Sequence, residues 1–300
     1  MLIDIHNVGH GACSVVTSSD GRKIMIDCGY GLEAPFFPSI RYSGQNMEML
    51  FVQNLDSDHV DDLPDLMNHV GFKAFRSNHS ISAETFLRMK EEGGMNDALW
   101  ALWRILAVAG PNFGPNAAFP DFWWHSFWNN YGNPFTETND LSMPLFVGKG
   151  GFTILFGGDL EADGWRNLLV SPDFRRRLAR VTVLVASHHG RRNGQCPELF
   201  NFCRPHVVIF SDYEHKHDTQ QTVSWYGDRV QGIPDMSYPL GAYPMRKVLT
   251  TRSDGHMRIH VQANGNYMIY TEHKSAPRVG TSLDRVGLGG LLESYGRRTA

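Results

Sequence analysis

The sequence predicts a layered α/β fold, in which helices cover the outer faces of β-sheets. The main observation is that two runs of strand-like segments, such as VTVLVAS and HVVIFS, have the short apolar pattern of buried strands, with helical segments between them. The chain is also long enough, at 300 residues with 42% hydrophobic content, to bury a large core as one big domain or two small ones.

The first elements form a meander of strands followed by helices. The opening residues alternate, and SSDGRK is predicted to turn between strands near Ala12–Thr17 and Lys23–Asp27. EMLFVQNL is typical of a buried strand, and HVDDLPDLMNHVG has helical spacing that stops at Gly71. Two more helices are predicted at about Ala83–Glu92 and Asn96–Ala109.

Regular elements resume after an irregular segment. Residues around 94–138 are predicted to be an aromatic-rich insertion, because GPNFGPNAAFPDFWWHSFWNNYG is dominated by Gly, Pro, Asn and aromatic residues. A hairpin on GKGG, helices near Ala162–Leu169 and Pro172–Ala179, a helix at PELFNFCRP and the strands VTVLVAS, HVVIFS, MRIHVQ and YMIYTE follow. We expect one domain over residues 1–274 and a flexible tail over 275–300, where Gly, Ser and Arg prevail.

Composition and charge argue against several classes of protein. The formal charge of −3 argues against a surface that binds polyanions everywhere, although a local basic patch is compatible with it. The four cysteines form no CxxC pair, which favours reduced thiols over disulfides or a zinc knuckle. MLIDIHNVGHGAC lacks the basic region of a signal peptide, and ALWALWRILAVAG is too short to span a bilayer and contains Arg104. We expect a soluble, cytoplasmic protein without a membrane partner.

Metal-ligand residue types gather at three predicted strand ends, NLDSDH, FGGDLE and ASHHG. Aspartate and histidine hold zinc, manganese or iron, and a carboxylate such as Asp159 can bridge two ions roughly 3.5–4 Å apart. The alternative is that Asp58, Asp61 and Asp159 cap helices. Capping leaves unexplained the histidine pair that directly follows an apolar strand, so the pattern favours a metal site.

In their order along the chain, these motifs resemble the metallo-β-lactamase fold hydrolases, and specifically their ComEC-like branch, whose nuclease domain accompanies a DNA-uptake channel. The resemblance covers most of residues 1–273. VGHGACSVV is similar to the VGQGDA-type opening, KIMIDCG to LIDxG, NLDSDHVDDL to HxDxDHxGG, and TNDLSMPLFV to the N-x-x-S-x-V strand. FGGDLE, VASHHG, VVIFSDYEHKH and KVLTTRSDGHMRIHV continue the resemblance in the same order. It implies a four-layer αββα sandwich with a metal site at one edge.

The resemblance also implies one or two divalent ions, zinc or manganese, as cofactors. Asp58, His59 and one of His188 and His189 would hold one ion, and Asp159 would bridge to the other. Both histidines follow the same strand, and the sequence does not decide which is the ligand. Asp58 and His188 are assigned as catalytic residues as well as ligands.

The second implied ion has poorer ligands. Asp56 would hold it, and Asn139 would complete or border its site. Asn54 stands where the family has its first histidine, Ala12 replaces the aspartate of the opening motif, and DD at 61–62 replaces Gly-Gly. An amide oxygen is a weak ligand for zinc but a tolerable one for manganese or magnesium. The sequence therefore predicts one tight and one loose ion, a lost first site, or a lost activity.

Basic residues near the site are predicted to bind substrate. The family's terminal histidine falls on His217, which would bind phosphate or protonate the leaving oxygen. His215 is a second substrate-binding residue, although an exposed turn EHKHD explains both histidines equally well. Arg191 and Arg192, directly after the HHG loop, are predicted to contact phosphate, whereas the arginines of residues 175–180 are equally well explained by a solvated helix face.

The aromatic residues of segment 113–135 have two interpretations. They pack inward as a lid, an extra layer or a dimer contact, or they form a stacking platform for the bases of a single strand. The first is favoured.

Three functions compete on this evidence. The first is a metal-dependent phosphodiesterase, most specifically a nuclease, and the second is a hydrolase of a small ester, lactam or thioester. The third is a catalytically degenerate binding or sensor module. Nucleic acid is the expected partner of the first, and the chain would act alone, as a homodimer or within a larger system.

Overall fold

Two β-sheets form the centre of the computed structural model, which describes residues 1–31, 36–214, 221–235 and 243–280. In chain order the strands are β1 (Leu2–Ile5), β2 (Ser14–Thr17), β3 (Lys23–Ile26), β4 (Asn46–Met47), β5 (Met49–Phe51), β6 (Gly71–Phe72), β7 (Phe75–Arg76), β8 (Asn112–Phe113), β9 (Trp123–Ser126), β10 (Leu145–Lys149), β11 (Phe152–Phe156), β12 (Val183–Val185), β13 (Val207–Phe210), β14 (Ile233–Pro234), β15 (Met245–Arg246), β16 (Val248–Thr250), β17 (Met257–Val261), β18 (Tyr267–Thr271) and β19 (Lys274–Gly280).

Helices connect many of these strands. They are α1 (Pro38–Arg41), α2 (Leu63–His69), α3 (Ala83–Lys90), α4 (Asp97–Ala109), α5 (Ala162–Leu168), α6 (Pro172–Leu178), α7 (Val223–Gly227) and α8 (Thr251–Asp254). Short 3-10 turns cover Ser57–His59, Asn139–Leu141, Ser187–Gly190, Arg192–Gly194 and Pro197–Asn201. Within the described ranges, no helix combines the length and the apolar character needed to cross a bilayer.

The two sheets differ in strand direction. The larger has the order β19-β18-β17-β1-β2-β3-β5-β7-β8, and it is antiparallel from β19 to β3 and parallel from β3 to β7. The smaller has the order β16-β13-β12-β11-β10-β9, with β11, β12, β13 and β16 parallel. Parallel neighbours end at the same edge of a sheet. Polar residues after β3 and β5, and after β11, β12 and β13, therefore collect at two such edges.

Alternation along the strands explains how the sheets stack. In β3, Ile24 and Ile26 face the core between the two sheets, and Met25 faces the opposite way. In β11, Ile154 lies in the same inter-sheet core and Leu155 points outward. Successive side chains of a strand point to opposite faces, so strands with no polar residue are buried on both sides. Each sheet therefore needs a second cover of helices.

The helices provide that cover. Leu66 of α2, Phe86 of α3 and Leu102 of α4 pack on the outer face of the larger sheet. Trp165 of α5 and Phe174 of α6 pack on the outer face of the smaller one. The layers run helix, sheet, sheet, helix, and the predicted αββα sandwich is confirmed.

The structure corrects two predicted elements and places part of a third. Trp123–Ser126, in the segment predicted to be irregular, forms β9 at the edge of the smaller sheet. WWHSFW shows no polar alternation that would reveal this strand. Pro197–Asn201 is a 3-10 turn instead of an α-helix. Lys274–Gly280 forms β19 beside β18, so the first residues of the expected tail belong to the larger sheet. Residues 281–300 lie outside the described ranges.

Candidate metal centre

The site lies where five strands end. Each of the five is followed within eight residues by a polar group of the site. These groups are Asp27 after β3, Asp58 and His59 after β5, Asp159 after β11, His189 after β12 and Ser211 after β13. One edge of the larger sheet and one edge of the smaller sheet thus both contribute side chains to the site.

Two glycines shape the loop that carries Asp58. A Cβ atom at Gly11 or Gly29 would overlap the backbone carbonyl oxygen of Asp58. Gly11 also has a φ of 144°, which residues with a side chain rarely adopt. The glycines of VGHGAC and DCG therefore let the loop after β5 lie directly against the N-terminal meander.

Four side chains converge at the strand ends. Each of Asp58, His59, Asp159 and His189 offers a ligand atom, and these atoms all lie within 4.8 Å of one another. His59 Nε2 is 3.0 Å from Asp159 Oδ1, and His189 Nε2 is 3.2 Å from Asp58 Oδ2 and 3.6 Å from Asp159 Oδ2. Two imidazoles and two carboxylates are a donor set that zinc and manganese both accept.

Buried acceptors orient both imidazoles. His59 Nδ1 is 2.8 Å from Asp27 Oδ2, and His189 Nδ1 donates to the carbonyl oxygen of Ser211 at 2.7 Å. Asp27 is 0% exposed, and its other oxygen accepts the backbone N–H of Gln53 at 2.7 Å. Metal-bound histidines usually donate the second ring N–H to a carboxylate or carbonyl. The outer hydrogen bonds aim both Nε2 atoms at the carboxylates, and the four residues fit a divalent ion.

The charges of the four groups are strongly linked. Burial alone would lower the pKa of His59, but the carboxylates of Asp159 and Asp27 raise it well above its usual value. Burial opposes the shifts of Asp58 and Asp159 too, yet the histidines hold both pKa values below the ordinary range. The histidines and carboxylates thus stabilise one another's charged forms. A divalent ion would compete with the histidine protons, as is usual at such sites.

The adjacent residues His188 and His189 have different surroundings. His188 and His189 have φ values of 48° and 53°, in the left-handed region, and this backbone turns the two rings apart. Only His189 joins the four-residue cluster. His188 Nδ1 is 3.4 Å from Glu161 Oε1, and its Nε2 is 3.4 Å from Arg191 Nη1. His188 thus lies beside the cluster, on the side of Glu161 and Arg191.

The two asparagines predicted beside a second ion bond to each other. Asn54 Nδ2 donates to Asn139 Oδ1 at 3.0 Å, and Asn54 Oδ1 accepts the backbone N–H of Asp56 at 2.9 Å. Asn139 Nδ2 donates to Glu161 Oε1 at 3.0 Å.

Asp56 is also held by the protein. One of its oxygens pairs with the ammonium group of Lys90, and the other accepts the hydroxyl of Thr138 at 2.8 Å. Sequence reasoning missed Lys90, which lies 34 positions from Asp56 and belongs to no quoted motif. It also missed Asp27, although KIMIDCG contains a signal: an acid at the end of an apolar strand.

The residues predicted to bind substrate are only partly described. Arg191 is half-buried beside His188, and Arg192 is exposed. His215 and His217 lie outside the described ranges.

The aromatic segment packs inward. Phe122 is buried in the core between the sheets, and Trp124 is partly buried against that core, edge-on to Phe51 at 5.1 Å between ring centroids. Trp123 is covered by the guanidinium groups of Arg177 and Arg180, at 5.6 and 5.7 Å from its ring centroid. These faces are therefore occupied by the protein itself, which agrees with the favoured interpretation.

Comparison with known proteins gives similarity of structure only. No protein-family model matches this chain, and no curated protein does. The metallo-β-lactamase fold protein YhfI from Bacillus subtilis has 12% identity, with 86% of this chain and 100% of that chain covered and a TM-score of 0.47. The diiron β-hydroxylase CmlA from Streptomyces venezuelae has 12% identity, with 86% and 54% covered and a TM-score of 0.47. A diphosphatase of the PhnP family has 12% identity, with 87% and 98% covered and a TM-score of 0.42. Similarities at this level say nothing about what this chain does.

Proposed function

We propose that this protein is a metal-dependent hydrolase that cleaves phosphodiester bonds, with a ComEC-like nuclease as its most specific form. The observation that carries the proposal is the four-residue cluster of Asp58, His59, Asp159 and His189, in which both imidazoles are aimed by buried acceptors. A site this completely oriented is what metal-dependent hydrolysis needs.

The chain's own groups have separate tasks in this reaction. Asp58, His59, Asp159 and His189 would hold a divalent ion, which would supply Lewis-acid polarisation of a phosphoryl oxygen and lower the pKa of water. Asp27 and Ser211 bond to Nδ1 of the two ligand imidazoles, so each ring carries its proton on Nδ1 and leaves Nε2 for the metal. Arg191 and Arg192 follow the ligand loop directly and would hold the non-reacting oxygens of the phosphate. The positive charges of these two arginines favour a phosphodiester substrate over a neutral ester or lactam.

His188 is proposed as a general base beside the cluster. Burial lowers the pKa of its imidazole, so the ring is neutral near neutral pH and can accept a proton from the attacking water. Its position between Glu161 and Arg191, beside the cluster, leaves it free of metal ligation.

A catalytically degenerate binding module is the second candidate. The Asn54–Asn139 hydrogen bond and the Asp56–Lys90 ion pair favour it, because they occupy groups that a second ion would need. Such a module would bind a metal and an anionic partner without turnover.

The test is an assay of zinc-loaded and manganese-loaded protein against single- and double-stranded DNA, RNA and a generic phosphodiester. Asp159→Asn should lose both bound metal and cleavage, because its carboxylate contacts both ligand histidines. The matched control is Asp163→Asn, whose side chain is 78% exposed and outside the cluster. Metal-loaded parent protein that cleaves none of these substrates would contradict the phosphodiesterase proposal.

A further inference from the structure

Lys90 is an unusually buried lysine beside the metal centre. It is the last residue of α3 and is 9% exposed, and its ammonium group pairs with Asp56, two residues before the ligand Asp58. Lysines are almost never buried unless they are paired. The end of α3 therefore places the ammonium group of Lys90 against the loop after β5.

We propose that the ammonium group of Lys90 takes the place of the second metal ion, so that the protein binds one divalent ion where its motifs resemble a two-ion site. This inference rests on the metal centre of the proposed function but not on catalysis. It assigns Lys90 as a built-in cation and makes Asp56 its partner instead of a metal ligand.

The hydrogen bonds around Asp56 agree with this assignment. Its two oxygens are used by Lys90 and by the hydroxyl of Thr138, and its backbone N–H donates to Asn54 Oδ1. Asn54 and Asn139 are bonded to each other at 3.0 Å. The three expected ligands of a second ion thus have protein partners of their own.

Electrostatics gives the same result. A second divalent ion bound to Asp56 would lie next to the ammonium group of Lys90, and like charges at such distances repel strongly when water is partly excluded. The two ligand imidazoles of the first ion bond to Asp27 and Ser211, whereas Lys90 pairs with Asp56. The charge of Asp56 is already neutralised without a metal.

The structure around Lys90 also explains why asparagine is tolerated at position 54. A histidine would be needed there only if an ion had to be bound, whereas an asparagine can cap the turn and bond to Asn139. Asn54 and Lys90 therefore both bond to Asp56, Asn54 through the backbone N–H and Lys90 through the carboxylate.

Zinc titration followed by calorimetry and elemental analysis tests the inference. Parent protein should bind one zinc ion per chain, and so should Lys90→Arg, which keeps the charge. The double variant Lys90→Met with Asn54→His should bind two, because it removes the cation and restores an imidazole ligand. Lys73→Met is the matched control, since the side chain of Lys73 is 58% exposed and pairs with Glu48 at the surface.

Asp56→Asn provides an independent readout if the double variant does not fold. The dissociation constant of the single zinc ion should stay the same in Asp56→Asn and should rise by about 100-fold or more in Asp159→Asn, beyond the effect of losing an outer hydrogen bond. Two tightly bound zinc ions in the parent, weakened zinc binding in Asp56→Asn, or a folded double variant with one ion would each overturn the inference. These outcomes are independent of turnover, so a failure of hydrolysis alone would leave the assignment of Lys90 intact.

Discussion

Replacing Asp27 by Asn tests how the buried carboxylate behind His59 controls metal binding. Asp27 accepts two hydrogen bonds, from the backbone N–H of Gln53 at 2.7 Å and from His59 Nδ1 at 2.8 Å. Asparagine keeps the size of the side chain and tolerates the φ of 56° at this position. It offers only one oxygen, however, so one of the two donors would face an amide NH₂ group.

The rigid backbone decides which hydrogen bond is kept. The amide oxygen should stay on the N–H of Gln53, which leaves the NH₂ group against His59 Nδ1. The neutral ring must then carry its proton on Nε2, the atom that would bind the metal. Loss of such an outer partner costs about 10- to 100-fold in metal affinity, which is about 1.4–2.8 kcal/mol at about 1.4 kcal/mol per tenfold.

Competition of the protein with a zinc-binding dye at fixed pH measures this change. Asp62→Asn is the matched control, because Asp62 is 1% exposed and accepts the backbone N–H and the hydroxyl of Ser39, away from the ligands. Both variants should lose some resistance to urea, but only Asp27→Asn should bind zinc more weakly. Unchanged zinc affinity in folded Asp27→Asn would refute the role given to this carboxylate.

Three further predictions concern substrate, packing and pH. Replacing Arg191 and Arg192 together by Ala should weaken the binding of a phosphodiester oligomer and flatten its salt dependence, since each phosphate contact contributes to the slope of log affinity against log salt concentration. Binding curves at several salt concentrations measure this slope, and an unchanged slope contradicts the prediction. Trp124→Ala should lower the free energy of unfolding, by at most about 3–5 kcal/mol, because the partly buried side chain packs against the core between the sheets. Oligomer affinity should stay unchanged, and lost affinity at normal stability would instead support a stacking platform. Burial lowers the pKa of His6 to about 3, so only the unfolded chain gains a proton as the pH falls below about 6.5, and stability declines. At about pH 4.5 this costs roughly 3 kcal/mol, at about 1.4 kcal/mol per pH unit. His6→Gln should therefore lose less stability than the parent between neutral pH and about pH 4.5 in urea unfolding, and equal losses in both proteins would exclude His6 as the cause.

Local patterns predicted a layered α/β fold and three of the four cluster residues, whereas the four-layer αββα order came from the resemblance to the metallo-β-lactamase fold. The apolar runs that became β11, β12 and β13 are short and bounded by turn residues, so their ends could be located within a few residues. Asp58, His59 and Asp159 follow such ends within eight residues, and parallel strands place their carboxyl ends together. The place of these residues after predicted strands therefore indicated that they lie close together in the fold.

The remaining features depend on backbone detail and on distant contacts. His188 and His189 are adjacent, and only their left-handed φ values decide which ring enters the cluster. Lys90 reaches Asp56 from the end of a helix whose packing no local pattern predicts. β9 was hidden because Trp123 and Trp124 face opposite sides of the sheet yet are the same residue type.

Anomalous diffraction from crystals grown with zinc tests the central claim most directly. The account predicts one zinc peak per chain, about 2.0–2.1 Å from His59 Nε2 and His189 Nε2 and about 2.0–2.2 Å from an oxygen of Asp58 and of Asp159. Asp56 should remain paired with Lys90 in the same crystals. A peak coordinated by Asp56 and Asn54, or no peak within the four-residue cluster at saturating zinc, would contradict the account.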